Sequence, residues 1–151
     1  MWKTRRFDVE IRFVKIKPGY LTPCRQTAGS AGCDLCACLD GPRSIAPGEV
    51  LMVPLGFAAE IPAGYAGFVF SRSGLGSRQG VVVAQGVGVI DSDYRGEWMV
   101  PLRNLGREEY TVQPGERIAQ AVFMPVAAAA FTEAESLSGT GRGSGGFGST
   151  G

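Results

Sequence analysis

Prolines and glycines cut this chain into pieces too short for long helices. Turn signals stand at Lys17-Pro18-Gly19, Pro47-Gly48, Pro62-Ala63-Gly64 and Pro114-Gly115. Proline fixes φ and glycine frees it, so each of these reverses the chain. No window of a dozen residues between them carries a helical period. The segments that remain are short and rich in Val, Ile, Phe or Tyr: 50–60, 66–71, 81–84, 87–91, 97–103, 109–113 and 117–124. Residues 7–13 alternate apolar and charged side chains strictly, as a half-buried strand does. One short helix is expected after Ser73. Many short strands at near-regular spacing predict an all-β chain: a sandwich, jelly roll or barrel.

Composition narrows the chemistry. The 151 residues are 44% apolar and 19% charged, which is one folded domain and not a disordered chain. A net charge of +1 offers no whole-molecule field to grip a nucleic-acid backbone, so no nucleic-acid partner is expected. Histidine is absent. That removes Ser-His-Asp and Cys-His catalysts and every His-containing zinc site, leaving a carboxylate, thiolate or lysine as general base. The longest apolar run, Ala121 to Phe131, is far shorter than a membrane span and holds a proline. The start, Met1-Trp2-Lys3-Thr4-Arg5-Arg6, lacks the apolar centre of a secretory signal. A cytoplasmic protein with no membrane partner is expected. Cys24, Cys33, Cys36 and Cys38 include a single C-x-x-C, whereas a four-cysteine zinc site needs two. They read as free thiols acting as small apolar residues.

Four segments and the tail concentrate groups able to do chemistry. Ala31-Gly32-Cys33-Asp34-Leu35 is a glycine-led start of a strand with one carboxylate. Arg72-Ser73-Gly74-Leu75-Gly76 follows an apolar run and is either an anion nest or a plain turn. Gly88-Val89-Ile90-Asp91-Ser92-Asp93-Tyr94-Arg95-Gly96-Glu97 looks like a hairpin centred on Ser-Asp. Asp91 there could be held at a sheet rim to orient a water, or could serve as a turn former. Pro114-Gly115-Glu116-Arg117-Ile118-Ala119-Gln120 is a turn and a strand, and Gln120 points either at a ligand or at solvent. From Gly139 to Gly151 the chain is mostly glycine, with Arg142 and Phe147 set among them. By composition this is a mobile arm first, and a phosphate-wrapping, base-stacking arm second.

In this order, the five pieces resemble the five motifs of the trimeric dUTP diphosphatases (dUTPases), the fifth running from Arg142 to Gly151. The resemblance covers nearly the whole chain. It implies a distorted jelly-roll (β-clip) fold over residues 1–138, with 139–151 a flexible lid arm. It also implies a homotrimer with shared active sites, Mg²⁺ as cofactor, and hydrolysis of dUTP to dUMP and pyrophosphate. That activity limits uracil in DNA and supplies dUMP for thymidylate synthesis. Asp91 matches the water-activating aspartate, Ser73 the hydroxyl near the α–β bridging oxygen, and Arg72, with Gly74 beside it, the arginine supporting the phosphates. The resemblance implies that magnesium is held chiefly by the triphosphate and waters; no direct protein ligand is assigned, and Asp34 is a candidate for a supporting place near the ion. Uracil is expected against backbone groups of a tight hairpin from Val87 to Ile90, Val89 included. Gln85 stands where many relatives have asparagine at the uracil edge. Tyr94 is expected under the deoxyribose, with Met99 lining the same pocket. Gln120, Arg142, Gly148, Ser149 and Thr150 are expected at the phosphates and Phe147 over uracil. Two related readings stand behind this one. A dCTP deaminase-like enzyme would need a second hydroxyl where Gly74 follows Ser73. A non-catalytic dUTP-binding regulator would have no need of Asp91, Ser73 and the whole arm.

Overall fold

The computed structural model describes residues 9–148. Its strands are short and pair antiparallel throughout the described residues. The strands are β1 (Arg12–Lys15), β2 (Cys33–Cys36), β3 (Arg43–Ile45), β4 (Val50–Pro54), β5 (Phe57–Glu60) and β6 (Tyr65–Ser71). A helix, α1 (Ser73–Gln79), comes next. Then follow β7 (Val81–Val83), β8 (Val87–Ile90), β9 (Met99–Asn104), β10 (Tyr110–Val112) and β11 (Arg117–Pro125). The main sheet runs β2-β11-β6-β8 and a second runs β4-β9-β7, with the pairs β1-β5 and β10-β3 beside them. This is the jelly-roll architecture expected from the sequence, and the one helix stands where it was expected.

Four expectations about strands are corrected. The alternation over 7–13 does not set the first strand. Phe7 and Asp8 lie outside the described residues, and β1 begins only at Arg12, because β5 offers it four residues of ladder, Arg12↔Glu60 to Lys15↔Phe57. The run 50–60 is two strands. Gly56, at φ 75°, turns the chain so that β4 pairs β9 while β5 pairs β1. Segment 88–97 is no hairpin: β8 pairs β6 and β9 pairs β4 and β7, so residues 91–98 cross from one sheet to another. The stretch around Val87–Ile90 is no hairpin either. β7 and β8 are joined by a turn closed by the Gly86 N–H on the Val83 carbonyl (2.9 Å), then part to different sheets. Beyond Pro125 the described tail has neither helix nor strand.

Trp98 explains the crossing. It is 2% exposed and lies between the rings of Phe57 (5.2 Å between centroids) and Phe123 (6.3 Å). Its backbone spans the turn between β4 and β5: its N–H donates to the Phe57 carbonyl (2.9 Å) and its carbonyl accepts from the Leu55 N–H (3.0 Å). Burying a side chain of this size is worth several kcal/mol, about 3–5 on truncation, which outweighs any local turn preference at Ser92-Asp93. Leu35, Val53, Ile61, Val69, Val100, Leu102 and Ile118 complete the core around it. The one buried polar side chain among the described residues, Asn104, donates to the carbonyls of Ile45 (2.8 Å) and Glu108 (2.7 Å) and accepts from the Gly106 N–H (2.8 Å). It fastens the loop between β9 and β10 to β3.

Candidate active site

Two separate clusters carry the predicted residues. The first lies where β6 ends and α1 begins. Asp34 on β2 sits directly opposite Gln120 on β11, so both side chains leave one face of the sheet. Asp34 is held between two arginines: its Oδ1 accepts from Arg72 Nε (3.1 Å) and its Oδ2 from an Arg117 terminal nitrogen (3.1 Å). Arg72 also donates to the Arg117 backbone carbonyl (3.0 Å). The Asp34 side chain is 11% exposed, against 27% for Arg72 and 47% for Arg117. Two guanidinium groups on one carboxylate leave a net positive charge, with donors still unused. Gln120 Nε2 donates to the Ser71 carbonyl (3.1 Å). Gly32 makes room for it, since a Cβ there would stand 2.6 Å from Gln120 Oε1. Ser73 and Gly74 open the helix, exposed, in a turn whose first amides have no intrahelical acceptor. An open groove of about 490 Å³ runs past Arg72, Gly74, Arg78 and Arg117. Its lining also holds Glu116, and its excess of cations could receive a polyanion.

The second cluster lies at the far end of β8. That strand has β6 on one side only, so every second residue turns its N–H and C=O to an open edge. Val89 is exposed, Ile90 half-buried and Asp91 exposed at the strand's end. Gln85 reaches back so that its Nε2 would lie 3.4 Å from a Cβ at Gly88. Past Asp91 the chain turns, with the Tyr94 N–H on the Asp91 carbonyl (3.2 Å). The Tyr94 hydroxyl donates to the Glu97 carbonyl (3.0 Å), and the phenol end of the ring packs on Gly96, where a Cβ would stand 2.3 Å from its oxygen. Only glycine permits that contact. Glu97 in turn accepts from the Gly56 N–H (3.1 Å). Met99 is exposed on the outer face of the second sheet, opposite Pro54.

The register of β6 sets the two clusters apart. Val87 pairs Phe70 and Ile90 pairs Gly67, so Asp91 emerges beside Ala66 while Arg72 leaves the other end. Six residues of strand separate those points, roughly 20 Å. One chain therefore does not bring Asp91 to Ser73. The described part of the arm does not bridge them either: Phe147 is fully exposed, with φ 50°, and Arg142 Nε donates to the nearby Gly145 carbonyl (2.7 Å). Ser149 and Thr150 lie outside the described residues.

Arg117 is the residue whose part was not read from the sequence. It stands in the fourth motif, but nothing in a linear string says that it shares a carboxylate with Arg72. Burial pushes the thiols of Cys33, Cys36 and Cys38 above the ordinary range. All four cysteines are free.

A family model described as dUTPase matches residues 20–151. The chain is 51% identical over 144 residues to the deoxyuridine 5'-triphosphate nucleotidohydrolase of Desulfitobacterium hafniense, covering 95% of each. It is 44% identical over 148 residues to that of Escherichia coli O9:H4, covering 97% of this chain and 98% of the relative. Among solved structures, the dUTPase of Staphylococcus bacteriophage 80alpha with dUPNHPP superposes with a TM-score of 0.86 at 25% identity, covering 94% of this chain and 98% of the other.

Proposed function

The chain belongs to the dUTPase family, and on that premise we propose that it hydrolyses dUTP to dUMP and pyrophosphate. One observation carries the reading of the site. A cationic, amide-rich end around Arg72 and a carboxylate ending an open strand edge stand on one molecule, facing different ways.

Because the two ends are roughly 20 Å apart along β6, a nucleoside triphosphate meets both only if they come from different copies. That supports a trimer whose sites lie between protomers, the phosphate end from one and the Asp91 end from another. The outer face of β4 and β9 offers a surface for assembly, since Val50, Met52 and Met99 project from it with 51%, 52% and 40% exposure. Light scattering at about three times the 15.9 kDa protomer mass is the expected result.

In the proposed site the open edge of β8 presents backbone donors and acceptors to the acceptor–donor–acceptor edge of uracil. Gln85 lies beside Gly88 at the same edge. Cytosine reverses part of that order, and a site with fixed backbone partners penalises the mismatch. The Tyr94 ring, held at its hydroxyl end by Gly96 and the Glu97 carbonyl, sits under the deoxyribose and leaves no room for a 2′-hydroxyl, with Met99 at the pocket wall. Asp91 accepts a proton from the water attacking the α-phosphorus. The new P–O bond forms as the bond to the α–β bridging oxygen breaks, and pyrophosphate leaves with the charge. Ser73, the first amides of α1, Arg72 and Gln120 receive that charge.

Magnesium fits as a companion of the substrate. Both oxygens of Asp34 are already engaged by arginines, and no group of three acidic or sulfur ligands occurs among the described residues. The triphosphate oxygens and waters would hold the ion, which supplies charge neutralisation. The arm, 139–151, is proposed to close over the site, Phe147 on uracil and Arg142, Gly148, Ser149 and Thr150 toward the phosphates. Four free thiols suit a reducing compartment, so a cytoplasmic location is proposed with the rest.

Incubation with Mg²⁺ and dUTP, dCTP, dTTP or UTP separately, followed by chromatography, tests the reading. Conversion of dUTP alone to dUMP and pyrophosphate is expected. Asp91→Asn should bind dUTP and not turn it over; near-normal turnover would remove Asp91 from its role.

A further inference from the structure

Residues 91–96 carry both the carboxylate and the sugar-facing ring, yet they lie between two sheets and belong to neither. Their start is fixed by β8, and their end by Glu97 and Trp98 against Gly56 and Phe57. Between those anchors one side chain ties the loop to something outside itself. A terminal nitrogen of Arg95 donates to the carbonyls of both Ser92 (2.7 Å) and Tyr94 (3.1 Å). Its other terminal nitrogen lies 3.6 Å from Glu60 on β5, and Glu60 also meets Arg12 on β1 (3.1 Å).

We propose that Arg95 is a positioning residue that sets Asp91 and Tyr94 together. The inference rests on the roles of those two residues given above. Its physical basis is the shape of guanidinium. Two hydrogens on one nitrogen clamp carbonyls two residues apart, which closes the turn that follows Asp91. The second nitrogen, held in the same plane, points the clamp at β5. The ion pair itself adds little to stability, because Arg95 and Glu60 are 54% and 45% exposed. What Arg95 contributes is direction. Releasing the carbonyls frees the Ser92–Tyr94 backbone, so the carboxylate and the ring lose their orientation together. A displacement of about 1 Å costs up to about a hundredfold in rate. A ring that drifts also admits the 2′-hydroxyl it should exclude.

The test is steady-state kinetics of the full chain with dUTP and UTP, for the parent, Arg95→Met, Arg95→Lys and Asp91→Asn. Arg95→Met should lower kcat on dUTP at least about tenfold and narrow the dUTP/UTP ratio of kcat/KM by a similar factor. Arg95→Lys, whose ammonium reaches the carbonyls but not Glu60 as well, should recover part of both. The ratio comes from one preparation, so it does not depend on how much of the variant is folded. If Arg95→Met keeps kcat and the ratio within about twofold of the parent, the proposal is overturned. Equal losses on both substrates with no recovery in Arg95→Lys would overturn it too, leaving a structural role only. Asp91→Asn separates the two levels: turnover in that variant refutes the underlying site, whereas its loss beside an unaffected Arg95→Met refutes only the positioning role.

Discussion

Asp34→Asn isolates the arginine pair at the phosphate end. Asparagine keeps the shape and one acceptor but removes the charge that holds Arg72 and Arg117 (both 3.1 Å away) in one place. A charge-assisted hydrogen bond between partly buried groups is worth about 1.5–3 kcal/mol, and that range applies to Arg72. Arg117 is half exposed, so solvent screening reduces its share to below about 1 kcal/mol. The sum is about 1.5–4 kcal/mol, a fall in Tm of roughly 3–16 °C for a chain of this size. The functional effect should be larger for substrates with a phosphate chain. Without Asp34, like charges push Arg72 and Arg117 apart and Arg72 loses its fixed direction. KM for dUTP should rise about tenfold, equivalent to ~1.4 kcal/mol, while dUMP affinity changes little. The assay pairs thermal unfolding at fixed protomer concentration with initial rates and dUMP titration. A variant with Tm within about 1 °C of the parent and unchanged KM for dUTP would refute the view that Asp34 sets the arginines. An equal loss for dUMP and dUTP would show that the damage is not confined to the phosphate end.

Three further outcomes are expected. Truncation after Ser138 removes no described residue that pairs in a sheet, since β11 ends at Pro125; the product should remain folded and assembled, with activity down roughly a hundredfold, and full activity would make the arm a passive tail. Asn104→Ala removes three hydrogen bonds from a fully buried side chain and should cost about 3 kcal/mol, read as a fall of about 6–12 °C in Tm. Alkylation at neutral pH followed by peptide mass analysis should label exposed Cys24 first. Cys33, Cys36 and Cys38 should lag, because burial raises their thiol pKa and lowers the thiolate fraction at any pH below it. Their rates should climb only as pH passes the ordinary thiol range, and uniform labelling at neutral pH would contradict that ordering.

Much of the fold was legible because β-structure built from short strands announces itself locally. The expected segments 66–71, 81–84, 87–91 and 109–113 match the observed strands Tyr65–Ser71, Val81–Val83, Val87–Ile90 and Tyr110–Val112 to within a residue at each end, bounded as they are by turn residues and rich in β-branched and aromatic side chains. Partner choice was not legible. β3, at Arg43–Ile45, has three residues and no alternation to find; it exists because Tyr110–Val112 lies antiparallel to it. The Asp91–Glu97 segment has good hairpin chemistry, and the burial of Trp98 overrides it.

The sequence by itself determined an all-β chain, the order of the five motifs, the residue types at the site and the absence of histidine chemistry. Each of these depends on neighbours along the chain or on composition. Only the tertiary structure decided that β8 is an edge strand and that Arg72 and Arg117 share Asp34. It alone decided that Arg95 closes the loop after Asp91. It also set the two halves of the proposed site at opposite ends of β6, because register and pairing are fixed by long-range burial, which no local pattern encodes.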